Sequence, residues 1–317
     1  MNGLGISTAW LATRVETGGE LLRAVEELGL DCLEVDYRVG SEVTETIRQA
    51  VNRGTLRVIS VHNPAPLPPW LSPKEASGDA LRLSSLDEAE RRRAVELALR
   101  SLRLASELGA EVVVFHLGEV EFDHQSQRLF SLYRENKIGS AEYELFLEAK
   151  LRERAERRGP HLEAVMRSLE EIHEEAAELG IWLGIENRFY YHQIPDLEEF
   201  DLLFRRLDGG RLRYWHDTGH AQVFEALGFW RQIEPLQRYG DRVVGFHLHD
   251  CRGIDDHRAP GDGDIRWREL LPYLEGEDVR RVLEIHPKVS PEQARRGIDF
   301  LTDLGVGVAC AEARRRA

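Results

Sequence analysis

Eight short apolar or β-branched runs, each leading into a longer stretch of helical period, recur along the chain, and this alternation leaves few folds open. The runs occupy residues 4–7, 32–36, 56–62, 111–116, 181–186, 212–217, 243–248 and 282–285. Strands that alternate with helices form βαβ units and a parallel sheet. The intervening stretches 20–28 and 92–108 are amphipathic and close on Gly29 and Gly109, residues free to take a left-handed cap. Two of the stops read Glu-Leu-Gly, at 107–109 and 178–180, and each feeds directly into the next run. Eight such units predict an α/β protein, a single (β/α)₈ or TIM barrel.

No linker rich in Gly, Ser or Pro divides the 317 residues, so 1–317 reads as one domain. Two connections are long. Residues 64–86, with Pro64, Pro66, Pro68, Pro69, Trp70 and Pro73, follow the third run and cannot begin as helix. Residues 119–159 follow the fourth run, are rich in charged and aromatic residues, and are expected to hold helices of their own. Insertions after barrel strands sit on the catalytic face, which makes both segments candidates for a lid over substrate.

What the mouth of such a barrel contains follows from where the titratable side chains fall. Nearly every run from the third onward ends in one: His62, His116, Glu186, Asp217, His247 and Glu284. Parallel strands of a closed barrel point the same way, so these residues converge although more than 200 positions separate them. Polar groups at the ends of apolar strands are costly to bury unless paired or ligated. Imidazole and carboxylate together suit Zn²⁺, Mn²⁺, Fe²⁺, Co²⁺ or Mg²⁺. A lone strand-end histidine is more often a hydrogen-bonded wall residue; the ensemble is what points to metal. Within it, His216-Asp217-Thr218-Gly219-His220 offers Asp217 and His220 to one mouth. Phe246-His247-Leu248-His249-Asp250 has the two-residue period of a strand, so His247 and His249 share a side and one of them is read as a ligand. The loop 254–264 adds an Asp-x-His pair, Asp255 and His257.

Composition narrows the partners. A formal net charge of -14 disfavours a nucleic-acid partner, which needs a basic face to displace counterions. The N-terminal residues 1–6 lack a basic n-region and an apolar h-region, and no uninterrupted apolar run approaches the length of a span. A cytoplasmic protein without a membrane partner is expected. The three cysteines, Cys32, Cys251 and Cys310, form no CxxC pair and read as small buried hydrophobes.

The motifs Leu183-Gly184-Ile185-Glu186-Asn187, His216 to His220, His247-Leu248-His249-Asp250, Pro260 to Ile265 and Leu283-Glu284, in this order and spacing, resemble the xylose isomerase-like TIM-barrel superfamily. That superfamily includes sugar isomerases and epimerases, dehydratases and endonuclease IV. In its isomerase and epimerase branch the resemblance implies one divalent metal held by Glu186, Asp217, His247 and Glu284. Glu186 and Glu284 would then move a proton at carbon, while His220, Arg252, Asn187 and Arg188 would contact a small sugar-like substrate. In the endonuclease IV branch it implies up to three zinc ions, with His62, His116, His220, Asp255 and His257 as additional ligands. Homo-oligomers are common in the resembling family.

Two departures rank the branches. The acidic chain is a poor match to a surface that grips bent DNA, and Glu186-Asn187 continues as Arg188-Phe189-Tyr190-Tyr191-His192, aromatic where the endonuclease has small residues. An isomerase or epimerase of a small sugar, polyol or keto-sugar ranks first. A polynuclear phosphodiesterase, a dehydratase on the same scaffold and a metal-holding module without turnover follow.

Overall fold

Each of the eight runs becomes a strand, and together they close on themselves. The computed structural model describes residues 3–307; Cys310 lies outside them. In chain order the strands are β1 (Leu4–Ser7), β2 (Cys32–Val35), β3 (Arg57–His62), β4 (Val112–Phe115), β5 (Trp182–Glu186), β6 (Leu212–Asp217), β7 (Val243–Leu248), a two-stranded hairpin β8 (Asp250–Arg252) and β9 (Asp255–Arg258), and β10 (Arg280–Leu283). The barrel order is β1-β10-β7-β6-β5-β4-β3-β2, every neighbouring pair parallel. The last strand starts two residues earlier than its apolar run, which leaves Glu284 just past its end.

Local chemistry fixes the helices between strands. Thr17 and Glu20, Asp196 and Glu199, and Ser290 and Gln293 each form a reciprocal capping box, which satisfies otherwise orphaned amides of the first turn. Both Glu-Leu-Gly stops end a helix on a left-handed glycine, Gly109 at φ 71° and Gly180 at φ 73°.

Beneath the mouth, side chains from six strands fill the barrel: Cys32, Ile59, Val112, Val114, Trp215, Val244 and Val282. Trp215 is the largest of them and is fully buried. Glycines on both flanking strands make room for it; a Cβ on Gly245 would stand 2.2 Å from its Cζ3, and one on Gly184 3.3 Å from its Cε3. The indole ring lies 5.0 Å from the His247 imidazole, so this plug is the floor of the mouth.

The two insertions differ in their fate. Residues of the first, an irregular strap after β3, line a cavity of about 1220 Å³ at the mouth, through Ser72, Pro73, Lys74, Ala76, Ser77 and Asp79. The second contributes none of the described lining residues, so of the two only the first stands at the mouth where a lid would. The second forms the helix Ser126–Arg134 and the first half of a 39-residue helix, Ala141–Leu179, which runs through Pro160 directly into the barrel helix before β5. Arg154 on that helix is buried and binds Glu199, Asp196 and the Gln193 carbonyl, which clamps the insertion to the side of the barrel. Both described cysteines, Cys32 and Cys251, are buried.

The Trp215 plug predicts that Gly245→Ala, which adds one methyl against an immobile indole, lowers stability by about 1–3 kcal/mol. Urea unfolding measures it; an unchanged midpoint would show that the floor yields.

Candidate metal centre

Strand register brings the first donors together. Asp217 at the end of β6 pairs directly with His247 on β7, and Val282 on β10 pairs with His247 from the other side, so Glu284 follows two residues beyond. Around His247 Nδ1 stand Glu186 Oε1 at 2.7 Å, Glu284 Oε2 at 3.0 Å and Asp217 Oδ2 at 3.8 Å. One ligand atom from each of the four lies within 4.8 Å of the others, and all four residues are buried.

Electrostatics concentrate negative charge here. Burial pushes the Glu186 and Glu284 carboxyls up, but the imidazoles against them, His247 foremost, hold both well below the usual carboxylate range. Asp217 is likewise lowered, against its burial, by His220 and His249. Three buried carboxylates thus meet at His247, with further imidazoles around them. Like charges at this spacing need compensating positive charge, which protonated imidazoles or a bound cation can supply. The donors fit a divalent metal: oxygen and nitrogen only, with no thiolate.

Two further donor groups adjoin the first: His62, His116 and Glu186, and Asp217, His220, His249 and His257. Glu186 Oε2 lies 2.7 Å from His116 Nε2 and 3.7 Å from His62 Nε2. Asp217 Oδ2 lies 2.9 Å from His249 Nε2. Both His247 and His249 therefore face the mouth, where one was expected to.

The motif 216–220 now has a physical account. His216 faces outward, bonded to the Tyr214 hydroxyl at 2.8 Å, and burial pushes its imidazole down to about 3. Asp217 faces inward and also caps the next helix by accepting from the His220 amide. Thr218 Oγ1 donates to the His247 and His249 carbonyls, pinning the end of β7. A Cβ on Gly219 would meet His249 Cε1 at 2.1 Å, so glycine is what admits that ring.

Not every residue singled out from sequence reaches the cavity. Asp255 turns outward and pairs with Arg258, its side chain 72% exposed. The reason lies in β9, where His257 adopts φ 52° and breaks the alternation that would have put Asp255 and His257 on one side. Asp256 takes the inward place, 2.8 Å from His257 Nδ1 and 3.8 Å from His220 Nε2. Arg252 is exposed and pairs with Asp262. Asn187 spends its amide on the backbone of Asp217 and on the Tyr214 hydroxyl, a brace rather than a wall of the cavity. Arg188 and His220 do line it.

Three carboxylates outside the donor groups went unread. Glu34 on β2 accepts from Ser60 Oγ and holds His247 Nε2 at 3.2 Å; Asp79 on the strap lies 3.0 Å from His116 Nδ1; Asp256 backs His257. A carboxylate behind an imidazole fixes which nitrogen carries the proton and turns the other toward a metal. For Glu34 the signal was present in the sequence, as an acid in the middle of the apolar run 32–36.

A family model described as xylose isomerase-like TIM barrel matches residues 22–304. The chain belongs to that family. The chain is similar to the uncharacterized protein y4fM of Sinorhizobium fredii (strain NBRC 101917 / NGR234), 24% identical over 195 residues, 61% of this chain and 52% of that protein. The chain thus spans about half the length of this curated relative. A D-tagatose 3-epimerase-like protein shares the fold with a TM-score of 0.67 at 20% identity, covering 95% of this chain and 96% of its own. The IOLI protein, solved with a zinc atom, aligns with a TM-score of 0.64 at 15% identity over 96% and 98% of the two chains. At these identities the likeness is one of fold. Among the described residues no helix is long and apolar enough to cross a membrane.

Two predictions follow from the electrostatics. In the metal-free protein the surrounding carboxylates outweigh burial and hold the imidazoles of His247 and His257 well above their ordinary value, so both carry protons. A cation must displace those protons, and they leave only as pH rises through the raised values. Mn²⁺ or Zn²⁺ affinity therefore keeps increasing above pH 6.5, with proton release visible in calorimetry across buffers of different ionisation enthalpy. Affinity that is flat above that pH would contradict it. Glu34→Gln, which weakens the hold on His247, lowers affinity about 10–100-fold.

Proposed function

We propose that the chain is a divalent-metal-dependent isomerase or epimerase of a small sugar, polyol or keto-sugar. The observation that carries this reading is the division of the four donors. Glu186 and Glu284 line the cavity, whereas Asp217 and His247 lie behind them. Of the four donors, it is thus two carboxylates that a bound molecule meets, the pair needed to remove a proton at one carbon and return one at another face or a neighbouring carbon.

The residues divide the work as follows. One glutamate takes the proton from the carbon beside a carbonyl, and the other delivers a proton to complete the change. His220 and Arg188 orient substrate hydroxyls from the wall they line. Phe189 and Tyr190, in edge contact at 4.6 Å, offer an apolar face on which a sugar ring stacks, and they keep water from the reacting carbon. A cation held by Glu186, Asp217, His247 and Glu284 would polarise two substrate oxygens and so acidify the carbon-bound hydrogen. The fold shared with a D-tagatose 3-epimerase-like protein supports this class of chemistry.

A second reading rests on the sharing of Glu186 between two donor groups and of Asp217 between two. Filled with two or three cations, the site would commit both Glu186 oxygens and leave no free base there, a design suited to phosphoester hydrolysis.

The test is solvent exchange in D₂O across a panel of ketoses and aldoses. The proposal predicts deuterium uptake at one substrate carbon, reduced about 10²–10⁴-fold in Glu186→Gln and Glu284→Gln. Exchange retained in both variants rejects the assignment. Nicking of abasic DNA together with more than one metal per chain by elemental analysis would favour the hydrolytic reading.

A further inference from the structure

We propose that Asp79 positions His116 as a cation ligand, and that closure of the strap after β3 and cation occupancy at His62, His116 and Glu186 strengthen one another. This rests on the second, polynuclear reading of the site, in which His62, His116 and Glu186 hold a cation beside the four-donor group.

The strap is built to touch this one ring. Between residues 70 and 80, every backbone hydrogen bond of the described chain stays within the strap. The Asp79 carboxylate alone reaches out of it, through Oδ2, to His116 Nδ1 at 3.0 Å, Arg188 Nη2 at 2.9 Å and Gln193 Nε2 at 3.4 Å. Its neighbour Gly78 is buried, and a Cβ there would lie 2.5 Å from His116 Nδ1. Glycine at 78 therefore lets the backbone seat directly on the imidazole while Asp79 grips it. The C-terminal end of the strap is fixed independently, by Arg82 to Glu90, Glu119 and Glu121 and by Ser84 to the Glu119 backbone. The tip is held by what Asp79 binds, His116 together with Arg188 and Gln193.

The contact also sets the imidazole's state. An ionised carboxylate only accepts, so Nδ1 of His116 carries the proton it shares with Asp79. Nε2 is then the atom aimed at Glu186 Oε2, 2.7 Å away. Two lone-pair-bearing atoms at that separation require a proton or a cation between them. A cation there fixes the ring that the strap grips, and a closed strap fixes the ring that the cation needs; by linkage each tightens the other by the same factor. Asp79 Oδ1 is buried without a hydrogen-bond partner and Arg188 Nε likewise, so the junction also keeps polar capacity for a bound molecule.

Trypsin reads the strap directly, because Lys74 is exposed at its tip. The full-length protein, stripped with chelator and titrated with Zn²⁺, is expected to become resistant to cleavage after Lys74 as cations bind. Asp79→Ala abolishes that protection and weakens Zn²⁺ at this group about 10–100-fold, while Asp79→Asn, which keeps an acceptor for Nδ1–H, retains part of both effects. Gly78→Val lifts the strap without removing the carboxylate and gives the same loss, which keeps the test sound if one variant folds poorly. Wild-type protein that binds a single equivalent with no cation at His62, His116 and Glu186 overturns the premise. Full occupancy with cleavage unchanged, or an Asp79→Ala variant that keeps both affinity and protection, overturns the coupling alone.

Discussion

Mutual repulsion among buried carboxylates governs this molecule's mouth. Glu186, Asp217 and Glu284 share one dry pocket with His247, and closure of the parallel barrel is what forces them together. Nothing in the local sequence of any one strand would assemble them. The barrel supplies the compression, the Trp215 plug supplies a floor that does not yield, and imidazoles interleaved between the acids reduce the repulsion without removing it. The donor set, oxygen and nitrogen without thiolate, is one that could hold a divalent cation.

The arrangement is layered outward from that pocket. Glu34, Asp79 and Asp256 each stand behind one imidazole, and each comes from a different element: the second strand, the strap and the hairpin. The donors thus take their orientation from three separate parts of the chain, two of which, at Asp79 and Asp256, also line the cavity. This also explains why the glutamates can serve two ends. Asp217 and His247 lie behind the cavity wall, while Glu186 and Glu284 belong both to the donor group and to that wall.

The strands and their order were legible because period and punctuation are local properties, and the capped Glu-Leu-Gly stops did what their chemistry implies. Strand-end residues were legible for the same reason: in a parallel barrel, position at a C-terminal end is enough to predict convergence. What escaped depended on geometry that no period encodes. Asp255 was mistaken for Asp256 because one left-handed residue, His257, turns the hairpin over. Asn187 looked like a substrate contact, but its amide is consumed by the backbone of the next strand. Asp79 sits in an irregular strap, where sequence spacing carries no information about direction. Glu34 was hidden in plain view, an acid inside an apolar strand whose partner, His247, lies 213 residues away.

The central claim is that Glu186, Asp217, His247 and Glu284 share one cation. Anomalous diffraction from crystals grown with Mn²⁺ or Zn²⁺ tests it most directly. The account predicts an anomalous peak bounded by those four side chains, at about 2.0–2.2 Å from the carboxylate oxygens and the His247 nitrogen. A map whose peaks all lie elsewhere, with the four donors still drawn together around no cation, would contradict it.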